Sequence, residues 1–377
     1  MHSTSTMASS TLLFVLSTTL LSLFLLPSAA QQAICPFQAI YQLGDSIADT
    51  GNLIRNGPVG ARSYAARLPY GETHFHRPTG RCSNGLLMID YFAMALQLPL
   101  LNPYLERGGL FDHGVNFAGA GSTALDNSFF ASRNIRTPPT NSPLSVQLNW
   151  FRSHLNSVCG TNSDCARLKL RRSLVMVGEI GGNDYNYAFF QGKSLQEIRT
   201  YIPYVVGAIV NAVSEVIRLG AVRVVVPGNF AVGCFPIYLT SFPNPDPRAY
   251  DDKGCLRGLN EFARSHNYYL QRALTLVRIE FPHAVILYAD YYTAFQLVLR
   301  RAQPLGFEPG LALRACCGTG GLYNYNGNRM CGSPGVPVCP NPDRHISWDG
   351  IHLTQNAYRH MSEFLIRDIL SRVQCVW

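Results

Sequence analysis

Five short apolar segments constrain the fold of this chain more than any other feature of its sequence. Each is followed by a glycine, a proline or a polar residue, and they span residues 39–43, 114–118, 173–177, 222–226 and 284–289. Runs of this kind are typical of strands that are buried on both faces. Segments with helical spacing of apolar residues lie between and after them, at residues 86–98, 145–158, 198–219, 259–279 and 355–373. This alternation predicts an α/β fold with a central parallel sheet of five strands and helices on both faces.

The first 30 residues are predicted to be a secretory signal peptide that is removed. An apolar stretch between residues 11 and 26 leads to the small residues Ser28 and Ala30, which suit cleavage after Ala30. The segment lacks Lys and Arg, so a membrane anchor is the alternative. We prefer removal because polar residues 17–19 interrupt the apolar run. Residues 31–377 are expected to form one domain with loop insertions and no transmembrane segment.

Composition and charge indicate a compact protein without a nucleic-acid partner. The hydrophobic fraction is 47% and the charged fraction 14%, as in a globular chain. The net charge is +8, but the basic residues are scattered rather than gathered on a dense face. Attraction to an acidic polysaccharide wall is the better interpretation of that charge. A secreted protein of the cell wall or the vacuole is therefore expected, and we expect a monomer.

The cysteines favour disulfide bonds. All 11 lie after residue 30, where an oxidising compartment promotes pairing. Cys159 and Cys165 flank a short polar loop and are expected to pair. One or more bridges are expected within a second group, Cys316, Cys317, Cys331 and Cys339. A zinc cluster is the alternative there, but the paired Cys-x-x-Cys spacing of zinc sites is missing.

Three of the predicted strands lead to residues that suit an active site. Ser46 follows the first strand, Gly121 the second and Asn183 the third. Open α/β sheets keep their ligands at this edge. Residues 119–124 also fit a Gly-x-Gly-x-x-Ala dinucleotide fingerprint. We reject that alternative because the residues that follow are polar and rich in proline, and no acidic residue stands about twenty positions on.

Asp349 and His352 complete the set shortly before the last predicted helix. An Asp three residues before a His can hydrogen-bond one ring nitrogen and leave the other free to take a proton. A helix cap beside a surface histidine is an alternative, and a metal site that includes His345 is another. His74 and His76 are also spaced as metal ligands on an extended strand. They lack a third ligand nearby, so we interpret them as surface residues.

Ester cleavage needs the parts that these positions supply. A serine that attacks an ester must lose its proton to a neutral histidine, and a carboxylate must hold that histidine. The negative oxygen that forms needs donors already aimed at it, such as a backbone N–H without a side chain in the way, as at Gly121, or an uncharged amide, as at Asn183. Ser46, Asp349 and His352 are therefore predicted to be catalytic.

Sequence motifs resemble those of the plant GDSL esterase/lipase family, also called SGNH hydrolases. The four family blocks are similar to residues 44–47 (Gly-Asp-Ser-Ile), 116–121, 181–184 and 349–352. Ile47 replaces the leucine of the family motif, a volume-conserving change. Within the family, the chain is most similar to the acetylajmalan esterase and sinapine esterase type, through segments such as residues 68–72 and 335–342.

That resemblance implies a three-layer αβα, flavodoxin-like SGNH hydrolase fold over residues 31–377. It implies a serine esterase that needs no cofactor and no metal, with Ser46, Asp349 and His352 as the triad and Ser46, Gly121 and Asn183 as the oxyanion hole. The expected substrate is a small-molecule ester, an acetyl-type ester of a plant specialised metabolite. The alternatives are an acyltransferase, a lipase, a wall-polysaccharide deacetylase and a carbohydrate-binding protein without activity.

Overall fold

A single five-stranded parallel sheet forms the centre of the fold. The computed structural model describes residues 37–373, so the predicted signal peptide, Cys35 and Cys375 lie outside the described residues. The strand order is β2-β1-β3-β4-β5, which is the flavodoxin-like order. The strands are β1 (Ala39–Leu43), β2 (Gly114–Asn116), β3 (Ser173–Val177), β4 (Arg223–Pro227) and β5 (Val285–Ala289). The predicted α/β class is confirmed, and all five predicted strands are present.

Helices flank the sheet on both sides. In chain order they are α1 (Asn52–Arg55), α2 (Gly57–Ala61), α3 (Met88–Ala95), α4 (Asn127–Ala131), α5 (Leu144–Cys159), α6 (Ser163–Arg171), α7 (Gly182–Phe189), α8 (Leu195–Arg199), α9 (Ile202–Arg218), α10 (Pro236–Ser241), α11 (Arg257–Glu280), α12 (Tyr291–Arg300) and α13 (Gln355–Arg372). Helix α9 packs between α5 and α11, and α13 packs between α3 and α12. Strands β1, β2 and β3 are buried along their whole length. Helices therefore cover both faces of the sheet, as is usual for a parallel sheet.

The predicted helix over residues 198–219 is two helices. Helix α8 ends at Arg199 and α9 begins at Ile202, with Pro203 in its first turn. Proline has no N–H to donate within a helix, so it suits a first turn and breaks a continuous run. Taken together, Leu195–Arg218 is long and apolar enough to cross a membrane, which the sequence analysis did not anticipate. However, 56% of its most apolar window is buried inside the fold, as in a core helix.

Several other helix boundaries differ from the prediction. The helix expected over residues 86–98 is shorter, at Met88–Ala95. Seven helices were not predicted: α1, α2, α4, α6, α7, α10 and α12. Helix α7 begins directly after Gly181, where the sequence suggested only a glycine-rich turn. This helix carries Asn183, so its position determines the geometry of the site.

Four disulfide bonds connect described cysteines. Cys159 pairs with Cys165 as expected. Residues 316–342, here called the Gly/Pro-rich segment, contain two bridges, Cys316–Cys339 and Cys317–Cys331. A fourth bridge, Cys234–Cys255, was not predicted. Cys82 is buried as a free thiol. The two bridges of the Gly/Pro-rich segment pack with Tyr70 and Trp348 in a small buried cluster.

Candidate active site

Residues that follow three neighbouring strands meet at one edge of the sheet. Ser46 follows β1, and Gly121 and Asn183 follow β2 and β3, the strands on either side of β1. Because the carboxyl ends of parallel strands lie at the same edge, the serine stands between the glycine and the asparagine. His352 reaches the same edge from the loop before α13, and its ring contacts the serine.

Ser46, His352 and Asp349 form one hydrogen-bonded chain. The His352 Nε2 atom lies 2.8 Å from the Ser46 Oγ atom, and its Nδ1 atom lies 2.7 Å from Asp349 Oδ2. A carboxylate can only accept, so Nδ1 carries the proton and donates to Asp349, and Nε2 accepts from the serine hydroxyl. These are the contacts by which a histidine can take a serine proton.

Asp349 is held by donors on every side. Its Oδ1 atom accepts the backbone N–H groups of Ile351 (2.9 Å) and His352 (2.7 Å). The hydroxyl of Tyr70 donates to Oδ2 at 2.8 Å, beside the histidine ring. Tyr70 is only 2% exposed and Asp349 1%. The acid is therefore fixed in position before any substrate arrives.

Two buried carboxylates fix the loop that carries Gly121. Asp49 accepts the backbone N–H of Ala120 at 2.8 Å, on one side of the glycine. Asp184 accepts the N–H groups of Ala124 and Leu125 at 2.8 and 2.9 Å, on the other side. The backbone of Gly121 has φ +83°, a conformation that favours glycine. The loop is thus pinned at both ends in the shape that this glycine allows.

The side chain of Asn183 is oriented by three contacts. Its Nδ2 atom donates to the carbonyl oxygen of Ser122 at 3.0 Å and to Asp45 Oδ2 at 3.3 Å. Its Oδ1 atom accepts from Asn186 Nδ2 at 3.3 Å. The contact with Asp45 is long for a hydrogen bond to a carboxylate. An N–H held this loosely can turn towards a stronger acceptor.

Two backbone N–H groups at the site are unused. Within residues 37–373, the N–H groups of Ser46 and Gly121 have no hydrogen-bond partner. Both residues are half-buried. Unpaired donors beside a serine hydroxyl are the arrangement that a negative oxygen requires.

Comparisons with known proteins identify the family. The family model described as GDSL-like lipase/acylhydrolase matches residues 40–365. The chain belongs to this family. Acetylajmalan esterase 1 of Rauvolfia serpentina is 51% identical over 354 residues, which cover 94% of this chain and 92% of that protein. A GDSL esterase/lipase of Arabidopsis thaliana is 54% identical over 344 residues, which cover 90% of this chain and 92% of that protein.

Among solved structures, a phospholipase A1 from Streptomyces albidoflavus aligns with a TM-score of 0.39 at 13% sequence identity, covering 88% of this chain and 99% of that one. The family and the relatives confirm the resemblance drawn from the sequence motifs. This GDSL esterase is a carboxylic ester hydrolase, and its substrate is a small-molecule ester.

Burial and charge shift the pKa values of the acid and the histidine in opposite directions. Burial alone would raise the pKa of Asp349, but the charge of His352 and the hydrogen bonds from His352 and Ile351 outweigh it and lower that pKa. Burial alone would lower the pKa of His352, but the charge and hydrogen bond of Asp349 raise it above its usual value. The arrangement therefore stabilises a histidine that has taken a proton.

A cavity of about 190 Å³ opens beside Ser46 in this GDSL esterase. Its polar lining residues include Ser46, His352 and Asn183. The rest of the wall is mostly apolar or aromatic, with contributions from Ile47, Tyr187, Phe190, Val232, Phe235, Ile237, Tyr238 and Ile351. A largely apolar cavity with a few converging polar groups is typical of a small-molecule site.

The alternative metal sites do not assemble from the predicted residues. His345 does not join Asp349 and His352; its Nδ1 atom lies 3.4 Å from the sulfur of Cys339. In the described part of the chain, one group has ligand atoms close enough for a metal: Cys316, Cys339 and His345. Those two cysteines are joined to each other by a disulfide bond.

Three residues of the site were missed by the sequence analysis. Asp49 and Asp184 lie three residues after Ser46 and one after Asn183, so their position in the same polar turns was the available signal. Tyr70 lies in a long irregular segment, where nothing local indicated burial beside the triad. Their roles depend on contacts between distant segments.

Proposed function

We propose that this esterase cleaves a small acyl ester of a plant specialised metabolite through an acyl-enzyme on Ser46. His352 takes the serine proton as the oxygen attacks the ester carbonyl, and later gives it to the leaving alcohol. Asp349 holds the tautomer and stabilises the imidazolium. A water molecule, activated by the same histidine, then releases the acyl group. The observation that carries this proposal is the chain of hydrogen bonds of 2.8 and 2.7 Å from Ser46 through His352 to Asp349.

The oxyanion hole is assigned to the backbone N–H groups of Ser46 and Gly121 and the side-chain amide of Asn183. The two backbone donors have no other partner among the described residues. The Asn183 amide shares one N–H with Asp45 at 3.3 Å, and the tetrahedral oxyanion would be a competing acceptor. All three donors serve an oxygen that becomes strongly negative only in the transition state, so they raise kcat more than they lower KM.

The size of the cavity supports a short acyl group. A closed apolar cavity of about 150 Å³ holds one benzene molecule. The cavity beside Ser46, about 190 Å³, therefore has room for an acyl group of the size of one ring. Acetylajmalan esterase 1, a relative of this chain, is named for an acetylated metabolite. An acetyl-type ester fits both observations.

The same proposal includes entry into the secretory pathway, one domain over residues 31–377, and no cofactor. Four disulfide bonds among the described residues are typical of a secreted protein. One sheet with one large hydrophobic core supports a single domain. The triad and the oxyanion donors supply every part of the reaction from side chains and backbone.

An active-serine probe tests the assignment of Ser46. A fluorophosphonate should label the wild-type enzyme and leave the Ser46→Ala variant unlabelled. An Asn149→Ala variant on the exposed face of α5 is the control and should label at the wild-type rate. Labelling of Ser46→Ala at the wild-type rate would contradict the proposal.

An ester panel tests the substrate class. p-Nitrophenyl esters from acetyl to dodecanoyl should show kcat/KM falling once the acyl chain exceeds the cavity. Addition of a second alcohol should leave the free acid as the product. A maximum at long chains would favour the lipase alternative, and transfer to the added alcohol would favour the acyltransferase.

A further inference from the structure

Two acid side chains, Asp45 and Glu179, line the same cavity and form no ion pair with a lysine or an arginine of the described residues. Asp45 is 3% exposed and Glu179 4%. The two carboxyl groups hydrogen-bond each other. Among the described residues, no ion pair joins either of them to a lysine or an arginine. Burial of two carboxylates in contact would be costly, so the pair needs another source of stabilisation.

A shared proton supplies that stabilisation. Two carboxyl groups at hydrogen-bond distance cannot both ionise, because one of them must be the donor. Burial, followed by the negative charges of Asp45 and Asp184, raises the pKa of Glu179 well above its usual range. Burial raises the pKa of Asp45 less, to about 7. Both oxygens of Asp45 accept N–H groups, from Ile47 and from Asn183, which favours the ionised form of Asp45. Glu179 therefore keeps the proton and donates it to the Asp45 carboxylate.

The acid pair holds the backbone next to Ser46 and the side-chain amide of Asn183. Asp45 Oδ1 accepts the N–H of Ile47 at 3.0 Å, directly after Ser46, and Oδ2 accepts from Asn183 at 3.3 Å. The Glu179 carboxyl accepts the N–H of Gly182, directly before Asn183. The pair thus connects the turn of the serine with the start of the helix that carries the asparagine.

Two further contacts fix the geometry between these segments. The N–H of Asp45 donates to the backbone oxygen of Glu179 at 3.0 Å. A side chain added at Gly44 would meet that same oxygen at 2.9 Å, so the two loops touch backbone to backbone. The ionisable groups that interact electrostatically with Asp45 or Glu179 are Asp49, Asp184, Cys82, His352, Tyr185, Tyr187, Tyr238, Tyr291 and Tyr358. His352 is the one group of this set that can become a cation.

We propose that Glu179 is a positioning residue for ester cleavage: its protonated carboxyl donates to Asp45 and thereby aims the Asn183 amide into the cavity. The proton also reduces the negative charge that Asp45 presents to the amide, so that the amide N–H is free to turn towards the oxyanion. Without this donor, Asp45 would compete with the oxyanion for the same N–H. The role rests on the proposed reaction at Ser46.

Two substitutions at Glu179 separate this role from simple packing. Glu179→Gln keeps both functions of the side chain, because its amide N–H donates to Asp45 and its oxygen accepts from Gly182. Glu179→Leu keeps a similar volume but removes both. The matched controls are Glu215→Gln and Glu215→Leu, at a partly buried glutamate on α9 that pairs with Arg152.

The kinetic assay is hydrolysis of p-nitrophenyl acetate by folded enzyme, with the folded fraction measured by circular dichroism. Small displacements of catalytic groups cost about 10²-fold in rate. We expect Glu179→Leu to lower kcat by about 10- to 100-fold with little change in KM. We expect Glu179→Gln to restore most of kcat, and both Glu215 variants to keep it.

Infrared difference spectroscopy tests whether Glu179 is protonated, and it relies neither on activity nor on the leucine variant. At pH 8 the wild-type spectrum minus that of Glu179→Gln should contain the C=O band of a buried protonated carboxylic acid. Absence of that band would overturn the proposal, because it would mean that Glu179 is ionised.

The kinetic outcomes are equally decisive. An unchanged kcat in folded Glu179→Leu, or an equal loss in Glu179→Gln and Glu179→Leu, would overturn the positioning role. A wild-type enzyme without esterase activity would contradict the proposed function, and the positioning role with it. The infrared band would still report whether the acid pair shares a proton.

Discussion

Replacement of Tyr70 by phenylalanine tests how the acid of the triad is held. The substitution removes one hydroxyl and leaves the ring in its contact with Trp348, whose ring centroid is 6.1 Å away. It deletes the 2.8 Å hydrogen bond to Asp349 Oδ2, in which both partners are buried. A hydrogen bond to a charged group contributes about 1.5–3 kcal/mol net. We expect the free energy of unfolding at neutral pH to fall by that amount.

Tyr70→Phe should also shift the pH dependence of activity in one direction. Asp349 keeps the N–H groups of Ile351 and His352, so it stays in place and the plateau value of kcat should fall by less than about 10-fold. Its Oδ2 atom, which faces His352, becomes more negative when the tyrosine donor is lost. That raises the pKa of His352, which Asp349 already holds above its usual value. Activity requires neutral His352, so the acidic limb of the kcat/KM profile should move to higher pH, by up to about one unit.

Denaturant unfolding and a pH–rate profile with a short-chain ester measure both effects. Tyr204→Phe is the control, because Tyr204 is 55% exposed on α9. It should leave unfolding free energy and profile unchanged. An unchanged unfolding free energy in Tyr70→Phe, or an acidic limb that moves to lower pH, would refute the reasoning about this contact.

Three further predictions concern the triad, the oxyanion hole and the bridges. Ser46→Ala and His352→Ala should each abolish most ester turnover, and the double variant should lose little more, since triad members act as a unit; additive losses in kcat would contradict this. Asn183→Ala and Asn183→Gly should lower kcat by about 10²- to 10³-fold with KM nearly unchanged, and Asn183→Asp should be at least as damaging because a carboxylate repels the oxyanion. Near-normal kcat in folded Asn183→Gly would mean that the oxyanion hole lies elsewhere. Reduction should lower the free energy of unfolding by about 2–5 kcal/mol for each native bridge lost. Mass spectrometry that found Cys159 and Cys165 as free thiols in the purified, non-reduced protein would contradict their pairing.

The sequence predicted those parts of the fold and the site that depend on local pattern. The five strands could be predicted because parallel strands buried on both faces are continuous apolar runs. Ser46, Gly121 and Asn183 could be placed together because each follows a neighbouring strand. Helix α7 could not be predicted, because it begins in a glycine-rich polar segment with weak apolar periodicity. Packing within the fold stabilises it.

Contacts between distant segments could not be predicted from the sequence. Tyr70 contacts Asp349 across 279 positions of the chain, and no periodicity records such a pairing. The bridge between Cys234 and Cys255 spans 21 positions and closes a loop that the sequence did not mark. The acid pair of Asp45 and Glu179 likewise forms only when the loops after β1 and β3 come together.

The two bridges of the Gly/Pro-rich segment lie next to the acid and the base. The N–H groups of Cys316 and Cys317 donate to the carbonyl oxygens of Ser347 and Trp348, at 3.0 and 2.7 Å, directly before Asp349. The position of Ser46 depends on the sheet, whereas the positions of Asp349 and His352 depend on a segment that is held by two disulfide bonds. A chain that folds in a reducing compartment should therefore possess a serine without a competent partner.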